Sequence, residues 1–305
     1  MPRVAAIDCG TNSIRLLIAD ITNGNFREVV REMEIVRLGQ GVDQTKSFHP
    51  DAIARTLAAT EKFSNLIKSK GVEKIRFCAT SATRDATNRD LFIDGVREIL
   101  GVEVEVIPGE EEAALSFTGA TKELNQNESP FLVVDIGGGS TEFVIGAEKV
   151  ESAKSVNIGC VRMSERHLNQ QPPTSAQINA AISDIDMAIA DAAKVVPITT
   201  AKTLVAVAGT ATTVAAAALE LTSYDRYAIH LSRISAEKVH KVAAKFQRLS
   251  RDEIANLGYM HPGRVDVITA GALVLSRVMA ATGATEFVAS ESDILDGIAW
   301  KLAGE

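Results

Sequence analysis

Two short segments of this sequence combine a carboxylate, hydroxyls and glycines, the residue types that together hold phosphate and a metal ion. Residues 4–13 read VAAIDCGTNS, and residues 131–140 read FLVVDIGGGS. In each segment an apolar run typical of a buried strand ends at an aspartate, Asp8 or Asp135. Glycine adopts the conformations that a tight turn needs, so the bend that follows can point backbone N–H groups at an anion. Two such segments predict two similar halves that face a shared cleft, and they favour a phosphate-handling enzyme.

The two bends supply most of the candidate phosphate-binding residues. A hairpin with a polar turn would explain the first bend alone. The second bend would be costly for structure alone, because each glycine raises the entropy that is lost on folding. The candidates are Gly10, Thr11, Asn12 and Ser13 in the first bend, and Gly137, Gly138, Gly139, Ser140 and Thr141 in the second.

Two further segments offer anion-binding groups after predicted strands. Gly209 and Thr210 follow one strand, where a helix that begins there would present free N–H groups and its positive dipole end. The alternative is a plain helix N-cap, for which threonine is suited. Arg84 follows another strand, and its planar guanidinium group is suited to bind phosphate oxygens. The alternative is a solvated arginine beside Asp85.

Carboxylates for acid–base chemistry occur at two places. Residues 108–115 read PGEEEAAL, which puts three glutamates in the first turn of a predicted helix. Favourable interaction with the helix dipole would explain any two of them. A phosphatase also needs a base that orients and deprotonates water, and one of these glutamates can supply it. Glu142, after the second bend, is a second carboxylate for water or metal, or else a solvent-facing strand residue.

Composition excludes several classes of protein. The net charge of −7 argues against nonspecific nucleic-acid binding, and the aromatic content of 5% argues against base-stacking platforms. No apolar run is long enough to predict a membrane span. The N-terminus enters a strand with no signal-peptide pattern, which favours the cytoplasm. Three cysteines without ligand spacing indicate reduced structural thiols.

Strand and helix patterns alternate along the chain and predict an α/β protein of two domains. The polar segment 123–130 is the expected crossover. It gives a first domain at 1–127, joined by the last helix at 293–305, and a second domain at 128–305. The predicted strands are 4–8, 14–20, 26–38, 74–80, 102–107, 131–135, 142–146, 149–157, 203–208 and 286–289, and the predicted helices are 51–70, 89–100, one from 110, 175–195, 210–221, 235–248, 251–257, 265–282 and 293–302.

Eight motifs in order give the whole chain a specific resemblance: AAIDCGTNSIRLLI, ATSATRDA, PGEEEAALSF, VVDIGGGSTEFVIG, NIGCVRMSERHL, AGTATTVAA, HPGRVDVITAGALVL and SESDILDGIA. The chain resembles the exopolyphosphatase/guanosine pentaphosphate phosphohydrolase (Ppx/GppA) family, which belongs to the superfamily of actin, sugar kinases and heat-shock chaperone ATPases. The resemblance implies two ribonuclease-H-like domains with an active cleft between them. It also implies cleavage of terminal phosphoanhydrides with a divalent metal.

The family's functional residues fall on named positions of this chain. The catalytic glutamate is Glu112, the second carboxylate is Glu142 and the arginine of the ATSATRDA segment is Arg84. Arg162 and Arg166 lie where the family has basic groups near the polyphosphate path. The implied metal is Mg²⁺ or Mn²⁺, with K⁺ as a stimulating ion. Its ligands are expected to be Asp8, Asp135 and Glu142.

The expected activity is release of terminal phosphate from inorganic polyphosphate, by a homodimeric cytoplasmic enzyme. The close alternative is hydrolysis of the 5′-phosphate of pppGpp, with pppGpp or ppGpp as substrate or inhibitor. A sugar or acid kinase and a catalytically weak alarmone-binding regulator are alternatives of other classes. Long family members carry an extra C-terminal helical region that is not found here, which predicts a preference for short chains. Leu295 stands where many relatives have an arginine.

Overall fold

The computed structural model describes residues 3–304, which form two compact units. Unit 1 is the described part of residues 1–119 and 294–305, and unit 2 is residues 120–293. The chain leaves unit 1 near the end of the helix Gly109–Thr121, a few residues before the predicted boundary at 127/128. The last helix groups with unit 1.

Unit 1 is built on strands β1 (Arg3–Cys9), β2 (Ser13–Thr22), β3 (Asn25–Ile35), β4 (Lys74–Ala79) and β5 (Val104–Val106), with helices α1 (Val42–Thr45), α2 (Pro50–Lys70), α3 (Ser81–Asp85), α4 (Asp90–Leu100) and α5 (Gly109–Thr121). Unit 2 contains β6 (Phe131–Ile136), β7 (Thr141–Gly146), β8 (Val150–Val156), α6 (Cys160–His167), α7 (Ser175–Ala193), β9 (Thr203–Val207), α8 (Ala208–Ala218), α9 (Arg226–Ile229), β10 (Arg233–Ser235), α10 (Ala236–Phe246), α11 (Arg251–Ala255), α12 (Ile268–Thr282) and β11 (Glu286–Ala289). Helix α13 (Ile294–Ala303) returns to unit 1.

The two sheets share one topology. Sheet 1 has the order β3-β2-β1-β4-β5, in which β1 to β3 are antiparallel and β4 and β5 run parallel to β1. Sheet 2 repeats this order as β8-β7-β6-β9-β11 and adds β10 at the edge. The predicted class, α/β with two ribonuclease-H-like units, is confirmed. The cleft, the homodimer and the cytoplasmic location stay predictions.

Local sequence explains where these elements begin and end. Strands β1 and β6 are buried along almost their whole length, as their unbroken apolar runs predict. Helix α2 begins at Pro50, whose missing N–H is not needed in the first turn, and it ends at Gly71. Gly71 takes a left-handed backbone conformation with φ 64°, which a side chain would strain.

Helix α13 is held in unit 1 by contacts with the sheet and with helix α5. Trp300 packs on Phe26 with ring centroids 5.2 Å apart. Asp296 accepts hydrogen bonds from both terminal nitrogens of Arg31. The absence of a side chain at Gly297 permits close approach to α5, because a Cβ there would lie 2.0 Å from the carbonyl oxygen of Leu115. Helix α13 is therefore part of the packed interior of unit 1.

No helix among residues 3–304 is long and apolar enough to cross a membrane. The thiols of Cys9, Cys78 and Cys160 are all buried. Burial raises the pKa of the Cys78 thiol to about 12 and that of the Cys160 thiol to about 11. A thiol of such high pKa is a poor nucleophile at neutral pH, which fits the structural role predicted for these residues.

We expect Gly297→Ala to lower the free energy of unfolding by about 1–3 kcal/mol, because the new methyl group would overlap backbone that cannot move away easily. Chemical denaturation measures this change. Gly95→Ala in α4 is the matched control: its methyl group would meet the flexible Leu57 side chain, so a smaller loss is expected. Equal losses in the two variants would contradict the close packing of α13 on α5.

Candidate active site

The two glycine-rich bends have the same backbone hydrogen bond at the same position. We call residues 8–13 loop 1 and residues 135–140 loop 2. In loop 1 the Gly10 N–H donates to the Ser13 carbonyl at 2.9 Å, and in loop 2 the Gly137 N–H donates to the Ser140 carbonyl at 3.0 Å. Loop 1 joins β1 to β2 and loop 2 joins β6 to β7, the equivalent hairpins of the two units. The sequence repeat is therefore a structural repeat.

The carbonyl groups of loop 2 point at the start of helix α6. The Gly137 carbonyl accepts from the Cys160 N–H at 2.9 Å, and the Gly138 carbonyl accepts from the Val161 N–H at 2.9 Å. The Nε of Arg162 donates to the Gly139 carbonyl at 2.6 Å. This approach depends on glycine at position 159, where a Cβ would lie 2.2 Å from the Gly138 carbonyl oxygen.

The N–H groups of loop 2 are left for another acceptor. Among residues 3–304, the N–H groups of Gly138, Gly139 and Ser140 have no hydrogen-bond acceptor. Gly139 and Ser140 are buried, and a buried N–H without a partner is unfavourable by itself. Successive amides of this kind form a concave anion site. Loop 2 can therefore bind a phosphate group through its backbone.

Loop 1 is supported in an equivalent way by the segment after β3. The Asn12 carbonyl accepts from the N–H groups of Val36 and Arg37, and the Thr11 carbonyl accepts from the Gly39 N–H. The Thr11 hydroxyl lies 3.0 Å from that of Ser81, at the start of α3. The Thr11 side chain, which is predicted to contact phosphate, therefore also makes a hydrogen bond within unit 1.

The hydroxyls of two predicted phosphate contacts are packed within unit 2. Thr141 is fully buried, and its hydroxyl donates to the Ile158 carbonyl at 2.7 Å. Thr210 is buried on the side facing α12, where a Cβ at Gly271 would lie 2.6 Å from the Thr210 hydroxyl oxygen. Both hydroxyls are therefore buried inside unit 2, and any contact of these residues with phosphate stays a prediction.

The residue opposite each loop aspartate differs between the units. Asp135 on β6 lies directly opposite Glu142 on β7, and both side chains are buried. One oxygen of Glu142 accepts from the Ser155 hydroxyl at 2.7 Å. At the same place in unit 1, Asp8 lies opposite Arg15. Arg15 donates to one oxygen of Asp8 from Nε at 3.0 Å and from Nη2 at 2.7 Å, so Asp8, expected as a metal ligand, has an ion-pair partner.

The oxygen donors of unit 2 fit a hard divalent cation. No group of three or more His, Cys, Asp or Glu side chains arranged to hold a metal occurs within residues 3–304. Mg²⁺ typically uses one or two carboxylates and completes its shell with water and substrate phosphate. The buried pair of Asp135 and Glu142 matches that requirement.

The three glutamates at the start of α5 have different surroundings. Glu110 is exposed. Glu111 accepts from Lys301 at 2.8 Å and from Arg76 at 2.9 Å, and these bonds lower the pKa of its carboxyl group. Glu112 is buried, and one of its oxygens accepts from Arg84 at 2.8 Å. Glu112 alone of the three therefore has a buried carboxylate with a fixed orientation.

Arg84 makes two hydrogen bonds within unit 1. Its Nη1 atom donates both to Glu112 and to the Ile107 carbonyl, each at 2.8 Å. Arg84 thus holds the Glu112 carboxylate through Nη1, and its contact with phosphate stays a prediction. Arg166, expected near the polyphosphate path, instead pairs with Asp184 on α7 at 2.8 Å. Leu295, which replaces an arginine of many relatives, is buried in the core of unit 1.

An arginine that the sequence analysis did not single out contacts the turn at Gly209. Arg264 donates from Nη1 to the Gly209 carbonyl at 2.8 Å and to the Thr213 hydroxyl at 2.9 Å. A Cβ at Gly209 would lie 2.1 Å from the guanidinium carbon, so a side chain there would displace the Arg264 guanidinium group. Ala208, with φ 64°, is a non-glycine residue in the strained left-handed region, which often occurs at functional sites.

The topology of sheet 2 brings these groups to one edge. Strands β6 and β11 both run parallel to β9, so the carboxyl ends of all three lie at the same edge of the sheet. Loop 2, the Gly209 turn and residues 290–293 follow those ends. In open α/β sheets this edge is where ligands bind. Arg264 was missed because its sequence position, in HPGR, gives no sign that it reaches Gly209.

Comparison with known proteins gives the family of the chain. The Ppx/GppA phosphatase family model matches residues 17–302. The chain is 46% identical over 317 residues to a protein from Mycobacterium tuberculosis called exopolyphosphatase 2, covering 100% of this chain and 99% of that protein. It is 34% identical over 182 residues to a guanosine-5′-triphosphate,3′-diphosphate pyrophosphatase of Vibrio atlanticus, covering 59% of this chain and 36% of that protein.

A solved structure gives the same result for the fold. The crystal structure of an exopolyphosphatase-like protein superposes with a TM-score of 0.94 at 46% identity, covering 97% of this chain and 96% of the other. The match extends over both units, and the family model covers nearly all of the described residues. The chain belongs to the Ppx/GppA phosphatase family.

Proposed function

We propose that this chain is a hydrolase that releases terminal phosphate from inorganic polyphosphate. The observation that carries the proposal is the set of loop 2 amides at Gly138, Gly139 and Ser140, which have no acceptor among the described residues. The 46% identity to a protein called exopolyphosphatase 2 supports the choice of substrate. A binding site for inorganic polyphosphate needs only groups that bind anions.

In the proposed reaction, loop 2 binds the terminal phosphoryl group through its amides. Glu112 accepts a proton from the attacking water, whose oxygen forms a bond to the terminal phosphorus as the bridging P–O bond breaks. The freed proton is thus held on the Glu112 carboxylate, and the shortened polyphosphate leaves with the bridging oxygen. Arg84 keeps that carboxylate oriented. Positioning and charge neutralisation supply most of the rate in phosphoryl transfer.

Mg²⁺ or Mn²⁺ is the proposed cofactor, held by Asp135 and Glu142. When bound there, the cation would neutralise charge on the phosphate oxygens as it develops. The other proposed phosphate contacts stay as predicted: Gly10, Thr11, Asn12, Ser13, Arg84, Gly137, Thr141, Gly209 and Thr210. K⁺ stays a proposed stimulating ion.

Hydrolysis of pppGpp is the second candidate function. It is favoured by the relatives called guanosine-5′-triphosphate,3′-diphosphate pyrophosphatase, one of which is 34% identical over 182 residues. Both reactions cleave a terminal phosphoanhydride, so the same loop and the same glutamate serve either. The substrate then differs only in what is attached beyond the reacting phosphates.

We expect Glu112→Gln to lower kcat for phosphate release by about 100- to 10,000-fold, because an amide cannot accept the proton from water. Binding of inorganic tripolyphosphate, measured by calorimetry, should be little changed. Glu111→Gln is the matched control on the same helical turn, and its ion pairs with Lys301 and Arg76 lie away from this chemistry. If Glu112→Gln retained the wild-type kcat, Glu112 would have no part in the reaction.

We expect Gly159→Ala to lower kcat/KM for polyphosphate by about 100-fold, because the new methyl group would overlap the Gly138 carbonyl and displace loop 2 by a fraction of an ångström or more. Steady-state phosphate release measures the effect, and circular dichroism checks the fold. Gly95→Ala is the control. It adds a methyl group to helix α4 of unit 1, far from loop 2 in sequence, and should keep wild-type kinetics. Wild-type kcat/KM in Gly159→Ala would show that loop 2 does not hold the substrate.

Phosphate release from short polyphosphate, long polyphosphate and pppGpp, each with and without Mg²⁺, tests the proposed function as a whole. We expect release from polyphosphate without any acceptor molecule, dependent on the cation. Release from pppGpp alone would support the second candidate. A kinase would show no release until an acceptor was added, and a regulator would bind these compounds without hydrolysis. Either of the last two results would contradict a hydrolase.

A further inference from the structure

The ends of strands β4 and β9 lead into a second repeated segment. It reads ATSATR at residues 79–84 in unit 1 and AGTATT at residues 208–213 in unit 2. The residue before each segment pairs with the loop aspartate of the neighbouring strand: Cys78 with Asp8, and Val207 with Asp135. Ser81 in α3 is therefore the counterpart of Thr210 in α8, and the repeat keeps a hydroxyl group at this position.

Ser81 makes a contact with loop 1 that unit 2 cannot make with loop 2. The hydroxyl oxygens of Ser81 and Thr11 lie 3.0 Å apart, and both side chains are buried. The residue of loop 2 that is equivalent to Thr11 is Gly138, which has no side chain. Within residues 3–304 neither hydroxyl has a second hydrogen-bond partner. We call Ser81 and Thr11 the hydroxyl pair.

Packing fixes the orientation of the Thr11 side chain. A Cβ at Gly39 would lie 2.4 Å from the Thr11 methyl carbon and 3.0 Å from the Cβ of Ala82. The Thr11 methyl group is therefore in close contact with Gly39. Because the methyl and hydroxyl groups share one χ1 angle, fixing the methyl group also directs the hydroxyl group toward Ser81.

Helix α3, which carries Ser81, is held at both ends. At its start the Thr80 N–H donates to the carbonyl of the last residue of β1 at 3.1 Å. At its end Arg84 donates to the Ile107 carbonyl and to the Glu112 carboxylate, each at 2.8 Å. The Ser81 hydroxyl is therefore presented by one helical turn that is joined both to the strand before loop 1 and to the proposed catalytic base.

The hydroxyl pair has two protons, of which one lies in the hydrogen bond between the two oxygens. If Thr11 donated that bond, the Ser81 proton would be buried without an acceptor among residues 3–304, which is unfavourable. If Ser81 donates it, the remaining proton is that of Thr11, in loop 1, where a phosphate oxygen can accept it. A phosphate at loop 1 therefore favours donation from Ser81, and hydrogen bonds in such a chain polarise one another.

We propose that Ser81 is a positioning residue, which donates to Thr11 and so leaves the Thr11 proton for a phosphate oxygen of the substrate. This inference rests on the proposed function and adds a residue to its binding site. The hydroxyl pair gives loop 1 a side-chain donor at the position where loop 2 has only backbone. Ser81 itself does not contact the substrate.

The test measures binding rather than turnover. Binding of inorganic tripolyphosphate is followed by calorimetry in Glu112→Gln, the parent variant for this series. We expect Ser81→Ala to weaken binding by about tenfold, the size typical of one hydrogen bond to a charged group. Ser81→Thr should bind as the parent does, because it keeps the hydroxyl and the repeat has threonine at the equivalent position.

A double-mutant cycle with Thr11→Val separates this role from a general loss of structure. Thr11→Val should weaken binding at least as much as Ser81→Ala does. Adding Ser81→Ala to Thr11→Val should cause no further loss, because Ser81 acts only through the Thr11 hydroxyl.

Thr83→Val is the matched control on the same helix. Its hydroxyl is buried and has no hydrogen-bond partner within residues 3–304. Replacing it by a methyl group of similar size removes no hydrogen bond. We expect parental affinity for tripolyphosphate and a melting temperature no lower than that of the parent.

Three results would overturn the proposal: no binding of tripolyphosphate by the parent, parental affinity in a folded Ser81→Ala variant, or an equal loss from Ser81→Ala with and without the Thr11 hydroxyl. If Ser81→Ala does not fold, Ser81→Cys replaces it, since a thiol is only a weak donor. Failure of the proposed function has a different signature. A wild-type chain that released no phosphate, but whose tripolyphosphate binding depended on Ser81, would contradict the hydrolase and support the hydroxyl pair.

Discussion

The hydrogen bonds between the start of helix α6 and the carbonyls of loop 2 are the interaction on which the rest of the site depends. Peptide groups whose oxygens are engaged by Cys160, Val161 and Arg162 cannot turn, so the adjoining N–H groups keep a fixed direction. Donors fixed in advance need no reorganisation when an anion binds, which is the main source of electrostatic stabilisation in enzymes. Gly159 makes this possible by letting two backbones touch.

The internal repeat explains how one fold supplies two different halves. Both units use the same hairpin, the same glycine N–H bond and support of the loop by the segment after the third strand. They differ in the residue opposite the loop aspartate, which is Arg15 in one unit and Glu142 in the other. At this position the two units therefore differ in the charge of the side chain rather than in the shape of the backbone.

Much of the fold could be predicted from the sequence, because apolar runs and capping residues act locally. The strand at 286–289 matches the prediction, and α2 ends before Gly71 as expected. Helix α6 was not predicted: it has only eight residues, and no side chain caps its start. Hydroxyl partners could not be foreseen either, since the hydroxyl of Thr141 is taken by the distant Ile158 carbonyl. Nor does the sequence show that Arg84 reaches Glu112.

The most direct measurement of the central claim is a crystal structure of the Glu112→Gln variant with inorganic tripolyphosphate. The account predicts terminal phosphate oxygens within about 3 Å of the amide nitrogens of Gly138, Gly139 and Ser140. An ordered tripolyphosphate bound elsewhere, with these amides left to water, would contradict it.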